Sequence, residues 1–453
     1  MQETDLTQRT TINSANQVDS GPRSGSRWAI AFRALRHRNF QLFFSGQLIS
    51  LTGTWMQNIA QAWLVYRLSG SSLQLGSVSF ASQIPVFLFA PLGGIIADRH
   101  NRQHVVIATQ TSAMILAFIL SVLTLTHTVE VWHIFVLATL LGIVNAFDIP
   151  ARQSFLVEMV GREDLMNAIA LNSSMFNGAR IVGPAIAGIL VASIGEGWCF
   201  FGNGVSYIAV IIGLALMRIQ ERRRPASASH FEHIIEGFRF ARGTGPIRAV
   251  LLLLGIVSLV GMPYSVLMPI FADTILHGGA RGLGILMGST GVGALLAALA
   301  LAAKAGLRGL GRWIALAAGG FGVSITLFSL SRNFWLSAAL LVPVGFCMML
   351  ETSSSNTLLQ AMVPDELRGR VMSLYSMMFM GMAPFGAFFG GALADRIGAP
   401  LTVALGGVAC VGAALLFGLR LPTIRVEARQ LILAQAVAGG EPSEEMTTRL
   451  SIS

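Results

Sequence analysis

Between residues 41 and 419 the chain passes through twelve apolar stretches, at 41–66, 73–97, 105–126, 131–151, 166–194, 198–217, 249–271, 282–303, 313–330, 334–356, 371–394 and 400–419. A helix needs about 20 residues to cross the hydrocarbon core of a bilayer. Backbone polar groups in that core must be satisfied within the protein, which leaves helices as the natural reading of such runs. Only 12% of the 453 residues are charged and 53% are hydrophobic, whereas soluble domains carry about 25% charged residues. The fold class expected is an all-α membrane protein with twelve transmembrane helices.

The net charge is +9 and the isoelectric point about 10.6, values that invite a nucleic-acid reading until the charges are placed. Of the 31 Lys and Arg, 26 fall in the tails and in the breaks after spans 2, 4, 6, 8 and 10; four (Arg67, Arg281, Arg332, Arg396) fall on the opposite side, and Arg180 lies inside a span. Short loops rich in Lys and Arg stay in the cytoplasm. Both termini are therefore expected in the cytoplasm of a bacterial cell, with the chain crossing the inner membrane many times, and the basic charge is topology rather than DNA binding.

Residues 1–39 are expected to form a disordered cytoplasmic tail, since 1–27 are polar and carry no apolar signal-peptide core. A six-helix bundle over 40–217 follows. The longest internal break, 218–248, reads as a cytoplasmic linker whose stretch 231–241 alternates apolar and basic faces at helical spacing, as a helix lying on the membrane surface does. A second six-helix bundle is expected over 249–420, then a polar cytoplasmic tail over 421–453. Cys199, Cys347 and Cys410 have no metal-ligand spacing and read as small packing residues.

The two bundles are related in sequence. Shifting the second by 203 residues aligns Gly142–Gly195 with Gly345–Gly398 without a gap, with 15 of 54 positions identical, among them Gly142/Gly345, Gly183/Gly386 and Gly188/Gly391. Parallel repeats of this kind build transporters that expose a central site to each side in turn. The same shift places Asp148 on Glu351. A carboxylate at membrane depth is costly and is expected to have a partner.

Seven polar residues, Asp98 to His104, separate spans 2 and 3, and six of them close the stretch GIIADRHNRQ, residues 94–103. This stretch resembles the loop 2–3 signature of the major facilitator superfamily, Gly-x3-Asp-Arg-x-Gly-Arg-Arg, with Asn101 where the family has Gly and Gln103 where it has a basic residue. Span 5 carries Gly178, Gly183, Pro184 and Gly188, similar to the family's span-5 exporter signature at looser spacing. The resemblance covers residues 33–421. The stretches FRALRHRNF (32–40), GQLISL (46–51), FDIPARQ (147–153) and NAIALN (167–172) resemble, within that superfamily, the bacterial transmembrane secretion effectors, a branch with enterobactin-type siderophore exporters. Ala138 stands where the superfamily's span-4 signature has an Arg linked to proton coupling.

The resemblance implies a cytoplasmic gate made of Gly94, Asp98, Arg99, Arg102, Asp148 and Glu351. Asp98 would cap a helix of the other half, Arg102 would bridge to Asp148, and Lys304, Arg308 or Arg312 would pair with Glu351. Gly93 and Gly94 are expected to let span 2 approach a neighbour.

Two further groups come from the residues themselves. Gln47, Thr54, Asn58 and Gln61 share one stripe of span 1 at 100° per residue. Ser173, Asn177, Arg180 and Pro184 share one face of span 5. Both faces should avoid lipid. Either they line a substrate cavity or they make interhelical hydrogen bonds, and Arg180 is either a ligand for an anion or acid or a structural cation. The Met- and Phe-rich span 11 suits a cavity for apolar compounds or ordinary core packing.

No zinc-protease, serine-hydrolase or P-loop motif is present, so neither catalysis nor ATP-driven work is expected, and no cofactor is called for. What the resemblance implies is a secondary active transporter, exporting a siderophore or drug-like compound by antiport with protons and working as a monomer. An importer or facilitator on the same fold, or a transport-inactive receptor or scaffold, are the alternatives.

Overall fold

The computed structural model describes residues 33–161, 163–217, 230–303 and 309–438. Among them there is no strand. The first six long helices are α1 (Arg38–Ser69), α2 (Ser72–Arg99), α3 (Arg102–Leu125), α4 (Val131–Val160), α5 (Leu165–Ile194) and α6 (Glu196–Ala215). A short helix, α7 (His230–Gly243), precedes α8 (Gly245–Val266), α9 (Gly279–Ala303), α10 (Leu310–Leu330), α11 (Phe334–Met362), α12 (Asp365–Ile397), α13 (Ala399–Leu419) and α14 (Leu421–Ala438). Short turns reverse the chain between successive helices. All the long helices therefore span between a near end, where α1 begins, and a far end, where it stops.

Eleven of these helices are long and apolar enough to cross a membrane, and α1 is not among them. Its Gln41, Gln47, Gln57, Asn58 and Gln61 lower its hydropathy although it runs for 32 residues. The outer surface is apolar: Leu419, Leu416, Leu415 and Val408 are each at least 60% exposed. Large apolar patches of this kind belong against lipid. This is a multi-pass membrane protein.

Helix ends follow local chemistry. Ser71 caps α2 by accepting from the Gln74 amide at 3.3 Å, and Asn101 caps α3 by accepting from His104 at 3.3 Å. Gly70 ends α1 with φ of 61°, a left-handed conformation that a side chain would strain. Two π turns, Val257–Gly261 in α8 and Met377–Gly381 in α12, face one another, and the Ser258 hydroxyl donates to the Phe379 carbonyl that the turn leaves free.

The helices form two sets, α1–α6 and α8–α13, and the repeated glycines make equivalent contacts in each. A Cβ on Gly142 would strike the Ser82 carbonyl of α2, and one on Gly345 the Thr290 carbonyl of α9. Between the sets, α2 meets α12 and α5 meets α9. A Cβ on Gly188 would lie 3.0 Å from the Gly284 Cα, and one on Gly391 would lie 3.0 Å from the Gly76 Cα. Gly188 and Gly391 are the pair matched at 203 residues. Phe80 and Phe87 of α2 pack on Phe385 and Phe388 of α12 with ring centroids 5.7–6.4 Å apart, so these phenylalanines form part of the seam between the sets.

Two expectations are corrected. Residues 33–39 are not a disordered tail: a turn at Arg33–Arg36 buries Ala34, whose amide donates to Asn167 Oδ1 at 2.8 Å, while Arg33 and His37 reach Asp164 at 2.7 and 2.8 Å. The polar composition of 1–27 does not extend to this segment, whose alternation of apolar and basic residues suits docking on an acidic helix start. Residues 421–438 are likewise helical, with α14 packed on α8 and α11 and its Ile424 and Ala428 buried. The linker helix α7 lies against α12, where Arg370 pairs with Glu236. Residues 1–32, the first twelve residues of the expected linker (218–229), and 439–453 lie outside the described residues.

Gly345→Val should remove most folded protein from the membrane, because the added side chain meets backbone that cannot move away; overpacking of this kind costs about 1–3 kcal/mol or more. Gly412→Val, where nothing lies within 4 Å of the added Cβ, should be neutral. Abundance and melting temperature of the two purified variants check the contrast.

Candidate functional site: three charged centres

Arg102, only 9% exposed, is the hub of the first centre. Its Nε donates to the Ala97 carbonyl at 3.1 Å, Nη1 to the Ser154 carbonyl at 3.1 Å and to Glu158 Oε1 at 2.8 Å, and Nη2 to Asp98 Oδ1 at 3.1 Å. It thus ties the near end of α2 to that of α4. Charge-assisted bonds of this kind are among the stronger ones a side chain makes. The expected bridge from Arg102 to Asp148 is absent, because Arg102 lies beyond the last turn of α2 and reaches Glu158 and Ser154, more than a turn past Asp148. No second-set residue meets Asp98 among the described residues; its carboxylate is 47% exposed. Arg99 is exposed. Gly93 is the close-packing glycine, facing the Ala146 carbonyl, while a Cβ on Gly94 would meet nothing within 4 Å.

The second centre is built around Asp148, which is 3% exposed. Its Oδ1 accepts from Thr109 Oγ1 at 2.8 Å and Gln110 Nε2 at 2.9 Å, and its Oδ2 lies 3.4 Å from Arg152 Nη2. Arg152 also donates to Gln47 Oε1 at 3.0 Å. One network therefore joins α1, α3 and α4. Sequence reading counted Arg152 as a loop cation, because the apolar run stops at residue 151 although α4 continues to Val160. Its spacing of four from Asp148 was the signal available.

Glu351 stands in the equivalent place in the second set and is entirely buried. The repeat places Ser355 where Arg152 stands. Neither carboxyl oxygen of Glu351 has a hydrogen bond of normal geometry among the described residues, and the Ser354 and Ser355 hydroxyls are also unpartnered. Of its expected partners, Lys304 and Arg308 lie outside the described residues, and Arg312 makes no ion pair with it.

The third centre is Arg180 on α5, whose guanidinium carbon lies 5.6 Å from the Trp55 ring centroid on α1. Trp55 is itself edge-on to Phe176 at 5.6 Å. Of the span-5 signature, Gly183 lets α5 press on α1, where its Cβ would come 2.5 Å from Trp55 Cβ, and Gly188 meets α9; the Pro184 carbonyl faces Gly284, and Gly178 faces open space. The span-1 stripe divides. Gln47 serves Arg152, Thr54 lies 3.5 Å from the Tyr207 hydroxyl, Asn58 is exposed and Gln61 half-buried. Asn177 donates to the Ser173 carbonyl of its own helix at 2.9 Å. Sequence reading missed Gln57, which accepts from Asn203 at 2.7 Å deep between α1 and α6.

Arg152→Gln should lower stability, because it removes the cation paired with a buried carboxylate; breaking such pairs costs about 3–5 kcal/mol when both partners are deep and less here, where Arg152 is 27% exposed. Asp148→Asn combined with Arg152→Gln should recover part of that loss, and a double-mutant cycle on melting temperatures measures the coupling.

The family model for transmembrane secretion effectors matches residues 29–448. The chain is 26% identical over 379 residues to the staphyloferrin A transporter of Staphylococcus aureus, covering 83% of this chain and 94% of that one. Against the multidrug efflux pump Tap of Mycolicibacterium fortuitum it is 27% identical, with 79% and 89% covered. Against the enterobactin exporter EntS of Escherichia coli it is 24% identical, with 89% and 96% covered. Among solved structures it resembles the nucleoside transporter NupG, with TM-score 0.66 at 16% identity over 84% of this chain and 98% of the other. A bacterial homologue of the iron transporter ferroportin, solved in an inward-facing state, gives TM-score 0.63 at 18% identity over 85% and 98%. These are folds of transporters rather than of enzymes, and the chain belongs to the transmembrane secretion effector family of the major facilitator superfamily.

Proposed function

We propose that the chain is a proton-driven exporter of a siderophore or drug-like compound, working as a monomer in the bacterial inner membrane by alternating access. Counting α1, twelve helices cross the bilayer with both termini in the cytoplasm, a topology supported by the 26 Lys and Arg on the near side. The observation that carries the reading is where the two sets touch. Among the described residues their hydrogen bonds, Tyr66 to Thr274 and Ser71 to Asp395, lie at the far end and their ring contacts between there and mid-height, where Phe87 meets Phe385, while the ion pairs of the near end stay within one set or join the linker helix to it. A site between the sets is then open to the near, cytoplasmic side. Relatives named for siderophore and drug export support the substrate class and the direction.

The clamp around Arg102 holds Asp98 on a rigid platform at the near end. When the near end closes, Asp98 meets a helix of the second set, so the clamp acts as one half of the gate and the Asp148 centre stiffens it. Glu351 is the candidate for the coupling proton. Among the described residues it pairs with no cation, as suits a carboxyl group that takes up and releases a proton, and Ala138 stands where the superfamily's span-4 signature has an Arg.

Accumulation of a panel of dyes, antibiotics and an iron-starvation siderophore, in a host stripped of its own exporters, tests the function. At least one compound should be retained severalfold less when the protein is present, and a protonophore should abolish the difference. Glu351→Gln should keep downhill movement of that compound and lose uphill export. An abundant protein that changes no compound's retention overturns the reading. Asp98→Asn should cut transport several-fold at near wild-type membrane abundance; a matching fall in abundance would assign Asp98 to folding alone.

A further inference from the structure

Of the arginines that reach into the bundle, Arg180 alone lacks a counter-charge. Arg102 and Arg152 find carboxylates at 2.8–3.4 Å. Arg180 makes no ion pair and no hydrogen bond among the described residues; its contact is the Trp55 face. A cation–π contact contributes about 0.5–2 kcal/mol, while withdrawing an ion from water costs several kcal/mol even after relaxation. The stacked ring occupies one face of the guanidinium and leaves its in-plane N–H donors free.

Position supplies the second observation. Towards the far end, the next residue Ile181 packs where a Cβ on Gly291 of α9 would come within 2.7 Å, and Gly188 meets Gly284. Towards the near end, Asn177 is half-buried and Ser173 exposed; on α1, Asn58, about one turn beyond Trp55, is exposed as well. Arg180 thus stands at the edge where the α5–α9 seam gives out. Trp55, over which its guanidinium lies, and Phe176, edge-on to Trp55, are the aromatic rings beside it.

We propose that Arg180 binds an anionic oxygen of the transported molecule, so that the substrates of this chain carry a carboxylate or another deprotonated oxygen on an aromatic or otherwise planar body. This rests on the transport reading above. A carboxylate meets the free edge of the guanidinium with two parallel hydrogen bonds, and the planar body lies against the neighbouring rings. Because α5 and α9 part at Arg180 when the far end opens, an anion held there is exposed to the opposite side without leaving its cation.

The test is equilibrium binding to the purified full-length protein in nanodiscs, with 1-naphthoate and its neutral amide 1-naphthamide as probes, read by intrinsic tryptophan fluorescence. Wild type should prefer the naphthoate by about tenfold or more, the effect of a charge-assisted hydrogen bond. Arg180→Gln should bind the two alike, and Arg180→Lys, which keeps the charge and loses the planar fork, should weaken naphthoate binding at least threefold. No preference in wild type, or a preference that survives in Arg180→Gln, overturns the proposal. Should Arg180→Gln fail to fold, Arg180→Lys decides: a loss of threefold or more upholds the site and a smaller one overturns it. Binding needs no pH gradient, so a protein that binds naphthoate through Arg180 yet exports nothing leaves the site standing and removes the transport reading alone.

Discussion

Helices in lipid are not driven together by water, so their association rests on how closely backbones approach and on the polar groups that bond across the gap. Glycine supplies that approach throughout this molecule. Within the sets, Gly142 and Gly345 press α4 on α2 and α11 on α9; between them, Gly188 and Gly391 press α5 on α9 and α12 on α2. The two kinds of contact differ in what surrounds them. Inside the first set, buried hydrogen bonds from Thr109, Gln110 and Arg152 to Asp148, and from Asn203 to Gln57, lock the helices in register. Across the seam, among the described residues, the hydrogen bonds are two exposed ones at the far end, at Tyr66 and Ser71. A contact made mainly of apolar packing has no buried network to break when it parts, whereas a satisfied buried network resists separation. That difference suits the proposed movement of one set against the other.

Asp148 and Glu351 show how a repeat can keep a backbone position and change its electrostatics. Both sit on the helix that follows a close glycine contact, six residues after Gly142 and Gly345. One turn on, the first set has Arg152 and the second Ser355. Among the described residues the first carboxylate is therefore compensated by a cation and two donors, whereas no cation pairs with the second. A cation one turn away makes a structural pair in one set that the other set does not repeat.

Much of the fold was legible because lipid imposes so simple a rule: long apolar runs, broken by charges, must be helices. Matched glycines gave the repeat for the same reason, since a close helix contact admits little else. Side-chain partners were harder to read. Arg152 was counted as a loop residue because hydropathy falls at Pro150 and Arg152, although the helix continues and its own turn brings the Arg back to Asp148. Glu158, the true partner of Arg102, lies on the same extension. Residues 33–39 and 421–438 were read as tails from polarity, yet each is amphipathic and docks on a neighbour. Within α1, a stripe at 100° per residue identifies a face but not what it meets, which is why Gln47 and Asn58 ended in different surroundings and Gln57, off the stripe, became the buried one.

The three charged centres lie at different places along the conformational path and so constrain one another. The Arg102 clamp is internal to the first set, and in the proposed cycle it stays intact whichever end is open and holds Asp98 where the second set would arrive. The Asp148 network links α4 to α1, the helix whose Trp55 backs Arg180. Stiffness is thereby passed from the near end to the edge of the seam, and the cation there is fixed in place by packing rather than by an opposing charge. A guanidinium neutralised by a permanent acid would bind an anion weakly. One left open between two rigid bundles gains most from a ligand that brings the missing charge.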